Sequence, residues 1–196
     1  MRAPRVGARA AAVIMFERER DAQRVLDLLP KRLAKYGLTL HPEKTRLVDF
    51  RRPSNRAEAS SDNSHAHLWP GTFDLFGLTH YWAKSRRGYW VVKQKTAADR
   101  FRRALKRIAE WCRRYRHEPV REQWAALKLK LSGHFGYFGI TGNSRALRNF
   151  RHHVVGAWRK WLSRRSQRGW ISWPDMLRLL ARYPLPQPRI RVVTVM

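Results

Sequence analysis

The sequence has one cysteine, Cys112, among its 196 residues. A single thiol excludes an intramolecular disulfide and any zinc site built from several cysteines. A lone cysteine is most often a small buried side chain, so we expect Cys112 in the core. This cysteine usage suits a reducing compartment, and we expect the protein to be cytoplasmic.

Acidic residues are scarce as well. Only 14 Asp and Glu stand against 42 Lys and Arg, which gives a formal net charge of +28 and a pI near 11.7. Charge of one sign on this scale repels itself and is tolerated best beside a polyanion, so nucleic acid is the first expected partner. No run approaches the roughly 18 to 20 apolar residues that a spanning helix needs, so we expect no membrane insertion.

Several catalytic and metal-binding patterns are also absent. The sequence contains no phosphate-binding loop with its Lys and Ser/Thr, no dinucleotide fingerprint and no Gly-x-Ser-x-Gly elbow. His65 and His67 lie in a polar segment, and the adjacent His152 and His153 would point in different directions on a helix. We therefore expect no metal site and no cofactor bound by this chain.

The N-terminal half mixes one helix with strands. Apolar residues recur at helical spacing over Phe16–Gly37, which predicts an amphipathic helix that ends at a left-handed glycine. Two short strands around a polar loop are predicted for residues 38–50, and a second β-hairpin, with Gly88 in its turn, for residues 73–96. Residues 51–70 hold many turn formers, which indicates a long loop between the hairpins.

The C-terminal half has helical periodicity throughout. Three apolar stripes, which begin at Phe101, Val120 and Leu147, predict three amphipathic helices in a small bundle. The fold class is therefore α+β, a helix and two β-hairpins followed by an α-helical bundle. The change of periodicity predicts a domain boundary that divides the chain into residues 1–95 and 96–196.

A glycine-rich segment precedes the third of these helices. Residues 133–142 hold four glycines and three aromatic residues, which predicts a loop that brings backbone amides and rings to a nucleic-acid strand. Asn143 or Ser144 is expected to cap the helix that follows. The rings can also fill the bundle, and we expect at least one of the three to lie in its core.

The third helix also has a basic face. On a helical wheel its arginines fall opposite the apolar stripe, and residues 123–174 contain no acidic residue to neutralise them locally. A solvated basic face is the common alternative, but the missing counter-charges favour contact with phosphates. The residues that we expect to contact RNA are Gly142, Asn143, Ser144, Arg145, Arg148, His152, Arg159, Arg164 and Arg165.

Three blocks of the sequence together resemble one known family. They read LAKYGLTLHPEKTRLVDF (33–50), FDLFGLTHYWAKSRRGYWVVKQKT (73–96) and GYFGITGNSRALRNF (136–150). In order and spacing they are similar to the C-terminal half of bacterial group II intron-encoded reverse transcriptases, also called maturases, over about Val13 to Ile190. The resemblance implies a truncated polymerase palm and a helical thumb, or maturase domain, which holds intron RNA and an RNA/DNA template-primer duplex.

The same resemblance implies a polymerase without its catalytic carboxylates. The family's aspartate pair would align with Ala10 and Ala11, and its third aspartate and its fingers would lie upstream of Met1. Alanine cannot ligate the two metal ions of phosphoryl transfer, which are Mg²⁺ in the full-length family. Lys44 matches a family lysine near the nucleotide phosphates, although a surface lysine in a loop is the plain alternative.

The leading hypothesis is a fragment that binds group II intron RNA and supports splicing rather than polymerisation. A second is one part of a split or wrongly started RNA-directed DNA polymerase whose catalytic half is encoded separately or upstream. A third is a degenerate pseudogene product without a role. The nucleotide sequence upstream of Met1 would separate the first two hypotheses.

Overall fold

The computed structural model of the protein describes residues 12–41, 45–53, 71–167 and 169–191. The fold is α+β, as the sequence predicts: an N-terminal helix, a three-stranded antiparallel sheet and a bundle of four helices follow one another along the chain. No helix within these residues is long and apolar enough to cross a membrane. Ala10, Ala11 and Lys44, and the greater part of the predicted long loop, lie outside the described residues.

The N-terminal helix, α1, spans Glu19–Ala34 and continues through Pro30. Acidic side chains occupy its first turn and basic side chains its last. Both interact favourably with the helix macrodipole and so stabilise the helix. Gly37 follows with φ of 68°, the left-handed conformation that the sequence predicts for the end of this helix.

The sheet contains the predicted second hairpin and one strand more. Its strands are β1 (Phe73–Leu75), β2 (Leu78–Lys84) and β3 (Trp90–Thr96), paired in the order β1-β2-β3. Gly88 in the β2–β3 turn has the expected positive φ, 82°. The first predicted strand is divided in two because Phe76 and Gly77, with φ of 51° and 79°, form a tight turn. Phenylalanine is seldom found in this conformation, so the turn has no usual sequence signal.

The first predicted hairpin, over residues 38–50, is wrong for the described residues, in which neither half forms a strand. The segment is instead fastened to the sheet by isolated contacts. The indole N–H of Trp82 donates to the carbonyl oxygen of Phe50 at 3.0 Å. The ring of Phe50 also meets the ring of Phe73 edge-on, with centroids 4.9 Å apart. Ring packing and single hydrogen bonds therefore replace the ladder that the alternating pattern predicts.

The bundle consists of α2 (Ala98–Arg114), α3 (Val120–Phe138), α4 (Ser144–Leu162) and α5 (Trp173–Arg182). The first three are the predicted helices, and the fourth is an addition to the prediction. At the start of α5, the hydroxyl of Ser172 accepts a hydrogen bond from the backbone N–H of Asp175 at 3.2 Å, with Pro174 in the first turn. Both are established signals of a helix N-terminus.

One hydrophobic core joins the four helices of the bundle. Its buried residues are Ile108, Cys112, Leu127, Leu131, Phe135, Leu147, Phe150, Val154, Val155, Trp158, Leu162, Met176 and Leu185. The three predicted stripes are thus confirmed as the inward faces of α2, α3 and α4. Cys112 is fully buried as expected, and burial raises the pKa of its thiol to about 12.

The predicted glycine-rich loop is wrong over most of its length, because residues 133–138 form the last turns of α3. Glycine disfavours a helix by about 1 kcal/mol relative to alanine. Burial of Leu131 and Phe135 in the core is worth roughly 1.5–3 kcal/mol for each side chain and outweighs that cost. Phe135 confirms that at least one of the three rings fills the bundle.

Candidate nucleic-acid interface

Helix α4 separates its apolar and basic residues cleanly. Leu147, Phe150, Val154, Val155, Trp158 and Leu162 are buried against the other helices. Arg145, Arg148 and His152 lie on the opposite side and are exposed. Within the part of the chain that the structure describes, neither arginine has a hydrogen bond or an ion pair to another residue. Their guanidinium groups are therefore available to an external anion.

The acid nearest to this helix along the chain is already engaged. Asp175 accepts a hydrogen bond from the hydroxyl of Ser172 and forms an ion pair with Arg178 at 3.2 Å. These contacts, the Ser172 hydrogen bond first, lower the pKa of the Asp175 carboxyl below its ordinary value. Asp175 therefore stays charged but is directed to its own helix. Among the described residues, no carboxylate therefore neutralises Arg145 or Arg148 of α4.

Asn143 lies at the start of α4 but faces inward. Only 1% of it is exposed, and its side chain caps no helical N–H. Its Oδ1 accepts from the backbone N–H of Thr96 at 2.9 Å, and its Nδ2 donates to Thr96 Oγ1 and to the carbonyl oxygen of Phe138. The amide thus joins the end of β3 to the turn before α4. It has no free atom for RNA, and we leave it out of the proposed contact surface.

The rest of that turn is more open. Gly142 is exposed with φ of 89°, which strains any residue with a side chain, and Ser144 is partly buried. The left-handed glycine reverses the chain between α3 and α4, so the turn is set by geometry first. Gly142 and Ser144 nevertheless lie at the surface beside Arg145 and remain candidates for RNA contact.

Two of the predicted RNA-binding arginines fasten one segment of the protein to another. One Nη of Arg159 donates to the carbonyl oxygen of Ile171 at 2.9 Å, which ties the connection after α4 back to that helix. Arg165 donates to the carbonyl oxygens of Arg116 and Glu118 in the α2–α3 loop. Burial lowers the pKa of Arg165 from its ordinary value. Both side chains therefore have structural partners whether or not RNA is present.

Arg164 belongs instead to a cluster of cations around the ring of Trp161. The charged groups of Arg113, Lys160 and Arg164 lie 5.9, 5.5 and 5.3 Å from the ring centroid. The indole face attracts each of them, but three like charges round one ring also repel one another. An anion placed there would relieve that repulsion. The cluster links the end of α2 to the end of α4.

Helix α2 supplies a second basic surface, in addition to the predicted one on α4. It contains seven Lys and Arg against Asp99 and Glu110. Asp99 pairs with Arg103 and Glu110 with Lys106 within the helix, so most of its cations are left without a carboxylate. The excess of Lys and Arg in this segment was the signal from which its basic surface could have been predicted. Helix α2 packs beside α4. The cations of the two segments meet at the ring of Trp161, where Arg113 and Arg164 both lie.

A groove of about 690 Å³ lies between the sheet and α2. Its two acids, Asp74 and Asp99, accept hydrogen bonds from Thr79 and from Arg103. Among the described residues, no group of three or more His, Cys, Asp or Glu is placed to hold a metal ion. Two-metal phosphoryl transfer needs such a cluster of carboxylates.

Trp170 and Trp173 are surface aromatic residues that the sequence analysis does not identify. Trp170, on the connection that leads into α5, is 73% exposed, and Trp173, the first residue of α5, is 42% exposed. Tryptophan is usually assigned to the core, as Trp158 is here, so its abundance alone could not reveal them. The available signal in the sequence was the grouping of aromatic and basic residues just before the N-terminus of α5.

No family model, curated protein or solved structure matches the chain. The resemblance to group II intron reverse transcriptases therefore stays a prediction. What the surface of α2 and α4 can do is inferred from its own charges and contacts.

Proposed function

We propose that this protein binds structured RNA through the basic surface of α2 and α4 and does not itself catalyse polymerisation. The observation that carries the proposal is the state of Arg145 and Arg148. Both are exposed on α4 without an ionic partner among the described residues, inside a stretch of the sequence that contains no acid. A solvated helix face would ordinarily mix both signs of charge.

Phosphate recognition explains this arrangement physically. Guanidinium groups form bidentate hydrogen bonds with phosphate oxygens, and each neutralised phosphate releases condensed counter-ions into solution. A net charge of +28 also raises the rate at which a polyanion meets the protein. The rigid bundle core below α4 keeps the arginines at a fixed spacing, which suits a structured RNA.

We further propose that the RNA is a group II intron and that binding supports its splicing in the cytoplasm. The support is the agreement of three separate sequence blocks, in order and spacing, with intron-encoded reverse transcriptases. The α+β order of the fold is consistent with the end of a palm followed by a thumb. In this proposal the chain stabilises folded intron RNA, and an RNA/DNA duplex is a second possible ligand of the same surface.

A split polymerase is the second candidate, and one observation favours it. Val13, Ile14, Met15 and Phe16 are all exposed, as is Leu28 on α1. A run of exposed apolar side chains of this kind is typical of a region that another polypeptide covers. A separately encoded catalytic half would then bind here. Translation of the DNA upstream of Met1, followed by co-purification of the encoded segment, tests this candidate.

Titration of the protein with an RNA hairpin at several salt concentrations tests the main proposal. The logarithm of the association constant should fall linearly with the logarithm of salt, by about 0.9 for each phosphate neutralised on a duplex. The double variant Arg145→Gln/Arg148→Gln should bind more weakly, with a slope reduced by about 2.

The matched control removes the same charge elsewhere. Arg86 and Arg87 are exposed in the β2–β3 turn, and Arg86→Gln/Arg87→Gln should keep the wild-type slope. Binding that is absent at low salt, or an α4 variant that behaves like the control, would show that the basic face is only a solvated surface.

A further inference from the structure

The connection between α4 and α5 presents two tryptophans to solvent. Trp170 has no hydrogen bond or ring contact within the part of the chain that the structure describes, and almost three quarters of it is exposed. Trp173 is the first residue of α5 and is 42% exposed. Exposure of an indole costs hydrophobic free energy, so two such residues close together indicate a surface that a ligand covers.

Trp173 is held in place from the side of α4. The guanidinium carbon of Arg159 lies 4.4 Å from the centroid of its ring, and the same guanidinium donates to the carbonyl oxygen of Ile171. The ring of His152 lies 6.2 Å away and nearly parallel, at 13°. A ring that is oriented before binding loses little conformational entropy when a ligand stacks on it.

The surrounding charge selects the kind of ligand. Exposed Arg148 is on α4, the helix that carries Arg159, and exposed Arg164 follows two residues after the end of that helix. The nearby acid Asp175 is occupied by Ser172 and Arg178. An apolar peptide would gain nothing from these cations, and a basic peptide would be repelled. A nucleotide strand offers both a flat ring for the indole and a phosphate for the arginines.

We propose that Trp170 and Trp173 are stacking positions for unpaired nucleobases, placed beside the phosphate-binding cations of α4. The inference rests on the proposed RNA binding and adds that the bound RNA has a single-stranded or bulged segment next to its duplex. Stacking on an aromatic side chain is largely independent of base identity. We therefore expect a preference for unpaired over paired nucleotides, with little preference among bases.

Two RNAs distinguish base stacking on the tryptophans from RNA binding by the basic surface alone. The first is a blunt hairpin, and the second is the same hairpin with a single-stranded extension of several nucleotides. Wild-type protein should bind the extended hairpin more tightly. Trp170→Ala should lose roughly ten- to hundredfold in affinity for the extended hairpin and bind the blunt hairpin as before, because each stacked base contributes about 1–3 kcal/mol. Trp170→Phe keeps an aromatic ring and should restore much of the difference.

An abasic extension provides the sharpest control. Removal of the bases should weaken binding to wild-type protein more than binding to Trp170→Ala, because only the stack on Trp173 is left to lose in that variant. Tyr89 is similarly exposed in the distant β2–β3 turn, so Tyr89→Ala should leave both affinities unchanged. Melting temperatures of the variants should match that of the wild type, because the side chain of Trp170 packs on little.

The possible outcomes distinguish the two proposals. If wild-type protein binds neither RNA at low salt, the proposed function fails and the stacking inference falls with it. If wild-type protein binds both RNAs but Trp170→Ala retains the full preference for the extension, RNA binding stands and the stacking inference is overturned. The exposed rings would then be assigned to contact with a protein.

Discussion

The indole N–H of Trp158 donates a hydrogen bond to Oε1 of Gln123 at 2.9 Å, and both side chains are buried. The amide nitrogen of Gln123 in turn donates to the carbonyl oxygens of Arg116 and Glu118 in the α2–α3 loop. One buried glutamine therefore links α4, α3 and that loop. A polar pair of this kind in a core is stabilising only while every member keeps its partner.

Replacement of Gln123 by leucine should destabilise the fold by about 1–3 kcal/mol, because the buried N–H of Trp158 loses its acceptor while the volume changes little. Trp158→Phe should also destabilise the protein. The double variant should lose less stability than the sum of the two single variants, because with phenylalanine at position 158 no buried N–H is left without an acceptor. Urea unfolding of the three variants measures this coupling. Strictly additive free energies would show that the hydrogen bond contributes nothing.

Long apolar stripes were the part of the fold that the sequence could predict. Phe101, Ile108 and Cys112 recur at helical spacing and do pack inward on α2. The prediction failed where secondary structure was assigned from the usual propensity of a residue type. Gly133 and Gly136 indicate a loop by propensity, but neighbouring core side chains keep them helical. Local signals are weak compared with burial, which depends on partners distant in sequence.

The candidate site shows the same limit. Exposed Arg145 and Arg148 could be predicted because helical periodicity sets the face on which a residue lies. Asn143 could not, because its burial depends on Thr96, 47 residues earlier in the chain. Arg159 and Arg165 likewise bond to carbonyl oxygens of loops that no periodicity places beside α4. Sequence spacing identifies a helix face but not the tertiary partners of its ends.

Two glycines near the end of α3 should respond oppositely to the same substitution. Beyond the backbone of its own helix and its two chain neighbours, a methyl group at Gly136 would meet no atom within 4 Å. Gly136→Ala should therefore stabilise the protein by about 0.5–1 kcal/mol through helix propensity. A methyl group at Gly139 would collide with the carbonyl oxygens of Phe135 and Arg189, so Gly139→Ala should be destabilising. Thermal unfolding compares the two. Equal shifts would mean that the C-terminal segment does not return to Gly139.

His134 should make stability fall in mild acid. Its ring stacks on Phe150 with centroids 3.7 Å apart, and burial lowers its pKa from the usual 6.5 to about 4. Between these values the unfolded chain binds a proton that the folded chain does not. Stability is therefore fully present above about pH 6.5 and is lost as the pH falls toward 4.

Urea unfolding of wild type and His134→Phe at pH 7, 6, 5 and 4 measures this effect. The phenylalanine keeps the stack but cannot titrate, so its stability should decline less over that range. Asp99 and Asp175, whose pKa values are lowered below the ordinary value, keep their charge in the folded protein over this range and are common to both proteins. Parallel profiles for the two proteins would show that His134 is solvated enough to ionise in the fold.

The isolated 196-residue chain should show no primer extension on an RNA template with either Mg²⁺ or Mn²⁺. The predicted resemblance to polymerases would put Ala10 and Ala11 at the metal-binding aspartates, and the described residues contain no group of three or more possible metal ligands to replace them. Changing both alanines to aspartate should not restore activity, because a third carboxylate and the nucleotide pocket would still be missing. A fusion that supplies fingers and palm ahead of Val13 should be needed. The contrary result is primer extension by the unmodified chain that is lost in Asp74→Asn or Asp99→Asn. That result would place an active site in the groove between the sheet and α2, and the binding-only proposal would have to be abandoned.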